Sequence, residues 1–352
     1  MPFGVAAEYL TELLGTRISE ATVRRATLAA GEALVALETK AVELLEKEAP
    51  LAQAAYRVLQ MSVDGAMVPL ANGQWAEART LAVAGMIWAK GSLQVCDLSY
   101  FSRMADHVSF TRLATLETHR RGVEAADLVL AVNDGAEWIT GYVDYQRPDA
   151  VRILDWAHAS GYVHVAGHAA FEGPCGEWCE TQLGLLRSGE PMAVLVALAA
   201  LEDSLPEANP ARGVIAQSLA YLAKRLDQIQ YAAFTRLGYP IGSGIVESAN
   251  RTVVQARLKG PGMHWAPSSI NPLLALRSVV CSNRWSETWP AIAGQLRHAD
   301  RQRRTCGRQE RSPSALPAAQ IKERPPRNSH GRPTKEHPWN RRPAVRPRRA
   351  KI

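Results

Sequence analysis

The chain has 352 residues, 47% of them hydrophobic, and a formal net charge of +7. That length can bury a full core and has room for two or three domains. It contains no run of about 18 uncharged apolar residues, so no helical membrane span is expected, and its first residues, MPFGVAAEYLTELL, lack the pattern of an export signal.

Residues 5–15 read as a helix, with Ala6, Tyr9, Leu10, Leu13 and Leu14 at helical spacing and Gly15 as a stop. Ser19 is a good N-cap for a second helix over 19–48, which carries Arg24 and Arg25 early. Helix, short turn and basic helix fit a helix-turn-helix DNA reader, and equally a structural lead-in or oligomerisation hairpin. This opening segment is taken as residues 1–55.

Strand character begins near Tyr56. Candidate strands cover 57–64, 79–88, 92–99, 127–133 and 150–155, with a helical stretch over 108–126. The first three follow in quick succession, as an antiparallel meander would. Leu128-Val129-Leu130-Ala131-Val132 is uniformly apolar, which suits a central strand covered on both faces.

Two of these runs end in an aspartate followed by glycine: Val63-Asp64-Gly65 and Val132-Asn133-Asp134-Gly135. In open sheets, ligands gather at the carboxyl ends of strands. Taken alone, Asp64-Gly65 reads more readily as a hairpin turn. Asp134 is followed by helix-like sequence, so either a site or an N-cap role is open to it. In Leu154-Asp155-Trp156-Ala157-His158, Asp155 and His158 lie three apart on one helical face. They are candidates for a metal site, for positioning it, or for a plain hydrogen-bonded pair.

Between 156 and 240 strand signals vanish, and the Ala/Leu-rich sequence reads as a helical insertion. The five cysteines (Cys96, Cys175, Cys179, Cys281 and Cys306) are sparse and odd in number, which suggests reduced thiols in a cytosolic compartment. Cys175 and Cys179 form a lone pair with no second pair nearby, so packing or surface roles are expected before metal binding.

A helix follows Gly244, in Gly242-Ser243-Gly244-Ile245-Val246-Glu247-Ser248-Ala249-Asn250, and runs to about Leu258. With Gly244 as N-cap, Glu247 at the third position could fold back on the helix start. Asn250 and Arg251 share its face. Arg257, Lys259, His264 and Trp265 come next, and basic and aromatic groups beside an acid suit a nucleic-acid strand. The glycines lack the lysine-serine/threonine signature of a phosphate-binding loop.

Another helix covers 268–282. Beyond it, residues 301–352 carry 16 Lys+Arg against three Glu, a net of +13, and eight of the 21 prolines. The first 300 residues hold 25 basic and 31 acidic side chains, a net of −6. A disordered segment over 298–352 is expected, because it offers too little apolar surface to offset the entropy of ordering. Phosphate contact or simple solubilisation would both suit it.

The ordered set VDGAMVP (63–69), VNDGAEWI (132–139), LDWAH (154–158), GYPIGSGIVESANR (238–251), RLKGPGMHW (257–265) and LLALRSVVCSNRW (273–285) resembles the DDE transposases of bacterial insertion sequences, of the ISKra type related to the Mutator superfamily. The resemblance runs from about residue 8 to 297. It implies an α/β fold whose RNase H-like mixed sheet, with flanking helices, occupies 56–155 and 241–297 and is interrupted by an all-helical insertion at 156–240. It implies that Asp64, Asp134 and Glu247 are the catalytic, metal-binding triad for two Mg²⁺ ions, with Mn²⁺ as a substitute, and that Asp155 and His158 are auxiliary. Arg251, Arg257, Lys259, His264 and Trp265 become the expected DNA contacts. The partners implied are element-end and target DNA and further copies of the chain, with no membrane, in a nucleoid-associated cytoplasmic setting. An inactive DNA-binding relic and a nuclease of the same fold are the alternatives. The catalytic core begins early, at about residue 57, and the Pro/Arg tail lies outside the family pattern.

Overall fold

Five strands form one mixed sheet: β1 (Val58–Pro69), β2 (Trp75–Ala89), β3 (Ser92–Arg103), β4 (Leu128–Asn133) and β5 (Val151–Leu154). Their order is β3-β2-β1-β4-β5. The first three pair antiparallel as a meander, whereas β4 runs parallel to β1 and β5 parallel to β4. The computed structural model describes residues 1–171 and 175–310, with side chains as far as Thr305.

The uniform apolarity of β4 has its expected cause. Leu130 and Val132 pack into a core shared with the helices after β5, while Val129 and Ala131 face a second core with Phe110 and Tyr142. Successive side chains point to opposite faces of a sheet, so a strand covered on both sides needs apolar residues throughout. The second core is built by α3 (His107–Arg121) and α4 (Glu137–Gln146).

Asp64-Gly65 is not a hairpin turn. Strand β1 continues to Pro69, Asp64 pairs with Thr80 and Gly65 with Arg79. The reversal comes at Leu70–Gln74, where Gly73 takes φ +80° and Leu70 donates its N–H to Gln74 O at 2.8 Å. The positive φ required by the turn is supplied there, so the earlier glycine is free to lie in the ladder.

Residues 156–240 are helical, with no strand among the described ones: α5 (Trp156–Phe171), α6 (Gly176–Ser188), α7 (Pro191–Asp203), α8 (Ala211–Ala223) and α9 (Tyr231–Arg236). Leu186, Leu198, Ile215 and Leu222 are fully buried in a core continuous with Ile153 and Leu154 of β5. The expectation of reduced, separate thiols fails at one place, because Cys175 and Cys179 are joined as a disulfide. Cys175 stands at the start of α6 and Cys179 one turn on, and their Cα atoms lie 5.5 Å apart, within the span a bridge requires.

At the N-terminus, α1 (Phe3–Leu14) is followed by α2 (Glu20–Glu48), whose first turn is capped by Ser19 accepting from Thr22 N at 3.2 Å. Arg24 and Arg25 are exposed, and the later part of α2 is buried through Ala30, Leu34 and Val42. Gly31 makes that packing possible, since a Cβ there would meet Pro272 O at 2.3 Å.

After α9 the chain forms α10 (Gly244–Ala249), a π-helical segment (Asn250–Gln255), α11 (Ala256–Leu258), α12 (Pro267–Cys281) and α13 (Trp285–Glu310). Residues 298–310 are therefore helical, against the expectation of disorder from 298. Arg304 pairs with Asp300 one turn back at 2.9 Å, a contact that favours helix. The expectation for 311–352 lies outside the described residues. No helix among the described residues is long and apolar enough to cross a membrane.

Candidate active site

Strand register places the acids. The β1–β4 pairing runs from Val58↔Leu128 to Met61↔Ala131, and three residues further on in the same register stand Asp64 and Asp134. The β4–β5 pairing ends at Asn133↔Leu154, so the next position sets Asp134 beside Asp155. Asp134 and Asp155 thus follow directly on the last residues of β4 and β5, and Asp64 lies three residues past the last β1–β4 pair. Asp64 lies within β1 as a whole and just beyond the end of its parallel pairing.

Where that pairing stops, Asn133 takes over. Its Oδ1 accepts from Val63 N at 2.7 Å and its backbone carbonyl accepts from Asp155 N at 2.7 Å. The buried Asn133 side chain fills the gap that opens as β1 and β4 part. Asp134 Oδ1 accepts from Ala136 N at 3.0 Å, an Asx turn, and the cap of α4 falls on Ala136. The N-cap reading of Asp134 is thereby set aside.

The helical insertion holds this turn from behind. Tyr221 donates its hydroxyl to Asp134 O, and Arg225 donates to Gly135 O. Gly135 has φ +76°, and a Cβ there would meet Tyr221 Oη at 2.6 Å and Arg225 Nε at 2.7 Å. Burial pushes the Tyr221 hydroxyl up to about 12, which keeps it a donor at neutral pH. The pattern of the sequence offers no signal for Tyr221 or Arg225, since both lie about ninety positions from the turn they hold.

Asp155 is buried, and both its oxygens are occupied by backbone amides. Oδ1 accepts from His158 N at 3.0 Å and Oδ2 from Ser243 N at 2.6 Å. It ties the start of α5 to the loop before α10, and its partner is the His158 backbone rather than the imidazole. His158 itself is exposed.

Glu247 arrives on α10, whose cap is Ser243 with no side-chain capping bond. Glu247 is exposed, and its Oε1 accepts from the hydroxyl of Ser243, the cap of α10, at 3.4 Å, so its side chain does reach back to the helix start. One turn later, at the first residue of the π-helical segment, Asn250 Nδ2 donates to Asp64 Oδ2 at 2.7 Å. Asn250 follows Glu247 by three residues, but it is buried where Glu247 is exposed, and among the described residues no contact joins Glu247 to Asp64. π-Helical turns often accompany functional sites.

No protein-family model matches the chain. No curated protein matches it either.

Asp64 is the electrostatically strained member. Burial raises its pKa above the ordinary carboxylate value and the Asp134 charge adds to that. The Gly65 amide at 2.6 Å and Asn250 work against the rise. None of Asp64, Asp134 or Glu247 forms an ion pair with a lysine or arginine among the described residues. Carboxylate oxygens suit hard, oxygen-seeking divalent cations, but among the described residues the group whose ligand atoms converge is His164, His168 and Cys175, not these three acids.

The expected nucleic-acid contacts divide. Arg251, Lys259 and His264 are exposed. Arg257 and Trp265 are buried, which corrects their assignment as strand contacts. The Arg257 guanidinium lies 4.4 Å from the Phe3 ring centre and 4.9 Å from that of Trp265, and Trp265 Nε1 donates to Leu258 O at 3.0 Å. The side chains that looked like a basic and aromatic surface instead stack between α1 and α11, because an arginine stem and guanidinium plane pack well on rings.

Proposed function

We propose that the chain is a DDE-type DNA transposase with an RNase H-like catalytic core, cutting the ends of a mobile element and joining the freed 3′-hydroxyl to target DNA. The observation that carries this reading is that Asp64, three residues past the last β1–β4 pair, and Asp134, just after β4, are near enough to interact electrostatically, with Asn250 donating to Asp64. The sheet order, with an antiparallel meander and two added parallel strands, supports the RNase H-like assignment.

Asp64, Asp134 and Glu247 would hold Mg²⁺, two ions with Mn²⁺ as a substitute. When bound, such a pair activates an attacking oxygen and neutralises charge on the leaving one. The chain's own part is positional. Asn133 and Asn250 orient Asp64, the Tyr221–Arg225 clamp orients the Asp134 turn, and Asp155 with Ser243 sets the entry of the Glu247 helix. Arg251 and Lys259, exposed on the segment after Glu247, would hold phosphates and fix the register of the strand rather than its sequence. Element ends and target DNA are the partners, the working complex contains several copies of the chain, and the cellular setting is the nucleoid.

The test is a nicking and strand-transfer assay on DNA carrying element ends, with Mg²⁺ supplied or chelated. Asp134→Ala is expected to lower metal-dependent nicking by at least about 10²–10³-fold, the scale at which loss of one preorganised charge-stabilising group is felt. Full activity in that variant overturns the assignment. Cleavage without joined products would identify a nuclease, and DNA binding without nicking an inactive relic.

A further inference from the structure

A second cluster of metal-binding groups lies in the helical insertion and plays no part in the reading above. His164 and His168 are four apart on one face of α5, with ring centres 6.1 Å apart. Against them stands the start of α6. His164 Nδ1 is 3.6 Å from Cys175 Sγ, and ligand atoms of His164, His168 and Cys175 all lie within 4.8 Å of one another. Cys179, bonded to Cys175, lies next to this group without being one of its converging atoms. Both cysteines are buried, His164 is partly so, and His168 faces solvent.

We propose that His164, His168, Cys175 and Cys179 form a tetrahedral Zn²⁺ site when the two cysteines are reduced. The spacings His-x₃-His and Cys-x₃-Cys both fall in the range used by structural zinc sites. A zinc ion with ordinary bond lengths separates its ligand atoms by roughly 3.3–3.8 Å, and the observed 3.6 Å between Nδ1 and Sγ fits that tetrahedron. Two thiolates and two imidazoles select zinc over magnesium, so this site and the carboxylate group would take different ions.

Gly167 supports the assignment. A Cβ at that position would meet Cys175 Cβ at 2.6 Å and Cys179 Sγ at 2.7 Å, so α5 is kept bare where the cysteines approach. The disulfide alone spans a sequence separation of only 4 and restrains the unfolded chain little. A metal held by four ligands from 164 to 179 instead fastens α5 to α6. The sequence pattern had appeared to lack a second ligand pair, and that pair consists of histidines on the preceding helix.

Conversion between the two states balances simply. A dithiol gives two electrons and two protons to the Cys175–Cys179 bond and is itself oxidised to a disulfide. Zn²⁺ then displaces the two thiol protons, leaving two thiolates and two neutral imidazoles around the ion.

Cobalt is the probe. The full chain, reduced with a dithiol and desalted without oxygen, should bind one Co²⁺ with a thiolate-to-cobalt charge-transfer band and the intense visible bands of tetrahedral coordination. Zn²⁺ should abolish both at one equivalent, and the oxidised chain should show neither. Asp134→Ala should leave the spectrum unchanged, because carboxylates give no thiolate band. Zinc affinity should fall at least about 100-fold in His164→Ala and in Cys179→Ser, more than loss of an outer partner usually costs. Absence of the charge-transfer band in reduced, folded wild-type chain overturns the proposal, as does equal zinc affinity in wild type and Cys179→Ser.

Discussion

The amide of Asn250 donates to Oδ2 of Asp64 at 2.7 Å, joining a helix to a strand that lies 186 positions earlier. Together with the Gly65 amide on Oδ1, this bond fixes the Asp64 carboxylate from the segment that follows Glu247. It also helps hold a half-buried charge that its surroundings disfavour.

Asn250→Ala removes a donor from a half-buried charged acceptor, a change expected to cost about 1.5 kcal/mol, the lower end for hydrogen bonds to charged groups. The pKa of Asp64 should rise further, because a bond that favours its ionised form is gone. Nicking should then require more Mg²⁺ at neutral pH and recover part of its rate as the pH is raised. A Mg²⁺ titration at two pH values checks this.

The raised pKa of Asp64 has a signed consequence for stability. A carboxyl group with a folded-state pKa above its unfolded value, about 3.9, contributes fully below that value. The contribution is lost as pH rises through the folded-state pKa. Metal-free Asp64→Asn should therefore melt at a higher temperature than wild type at pH 7, with the gain disappearing below about pH 4. Thermal melts across that range, with a chelator present, measure it. Added Mg²⁺ should stabilise the wild type and not the variant.

Gly135→Ala forces a side chain into a positive-φ turn and against Tyr221 and Arg225. A cost of about 1–3 kcal/mol is expected, with nicking reduced because Asp134 moves with the turn. Gly161, inside α5, has open space where a Cβ would go. Gly161→Ala should stabilise by about 0.5–1 kcal/mol and leave nicking untouched. Melting curves beside the nicking assay separate the two glycines.

The buried and exposed cations should part in a salt titration of DNA binding. Arg251→Ala and Lys259→Ala should each lower the slope of log affinity against log salt by about 1, uniformly across DNA sequences. Arg257→Ala should leave the slope alone and lower the melting temperature, since its guanidinium packs between Phe3 and Trp265.

Read alone, the chain did not determine the continuation of β1 to Pro69 or the helix over Trp285–Glu310, but it determined the order of its strands and most of its helices, because period and apolarity are local. The doubly covered β4, the Ser19 cap and the all-helical stretch after Asp155 are of this kind. It also singled out Asp64, Asp134 and Glu247 as acids in unusual places. Whether Asp64-Gly65 turned or continued was decided only by tertiary pairing, since the same two residues serve a hairpin or a strand edge until a partner strand is present. The burial of Arg257 and Trp265, the Tyr221–Arg225 clamp and the meeting of His164 with Cys175 were settled the same way. Each depends on which surfaces come together after folding, and contacts between distant segments leave no periodic mark on the residues that make them.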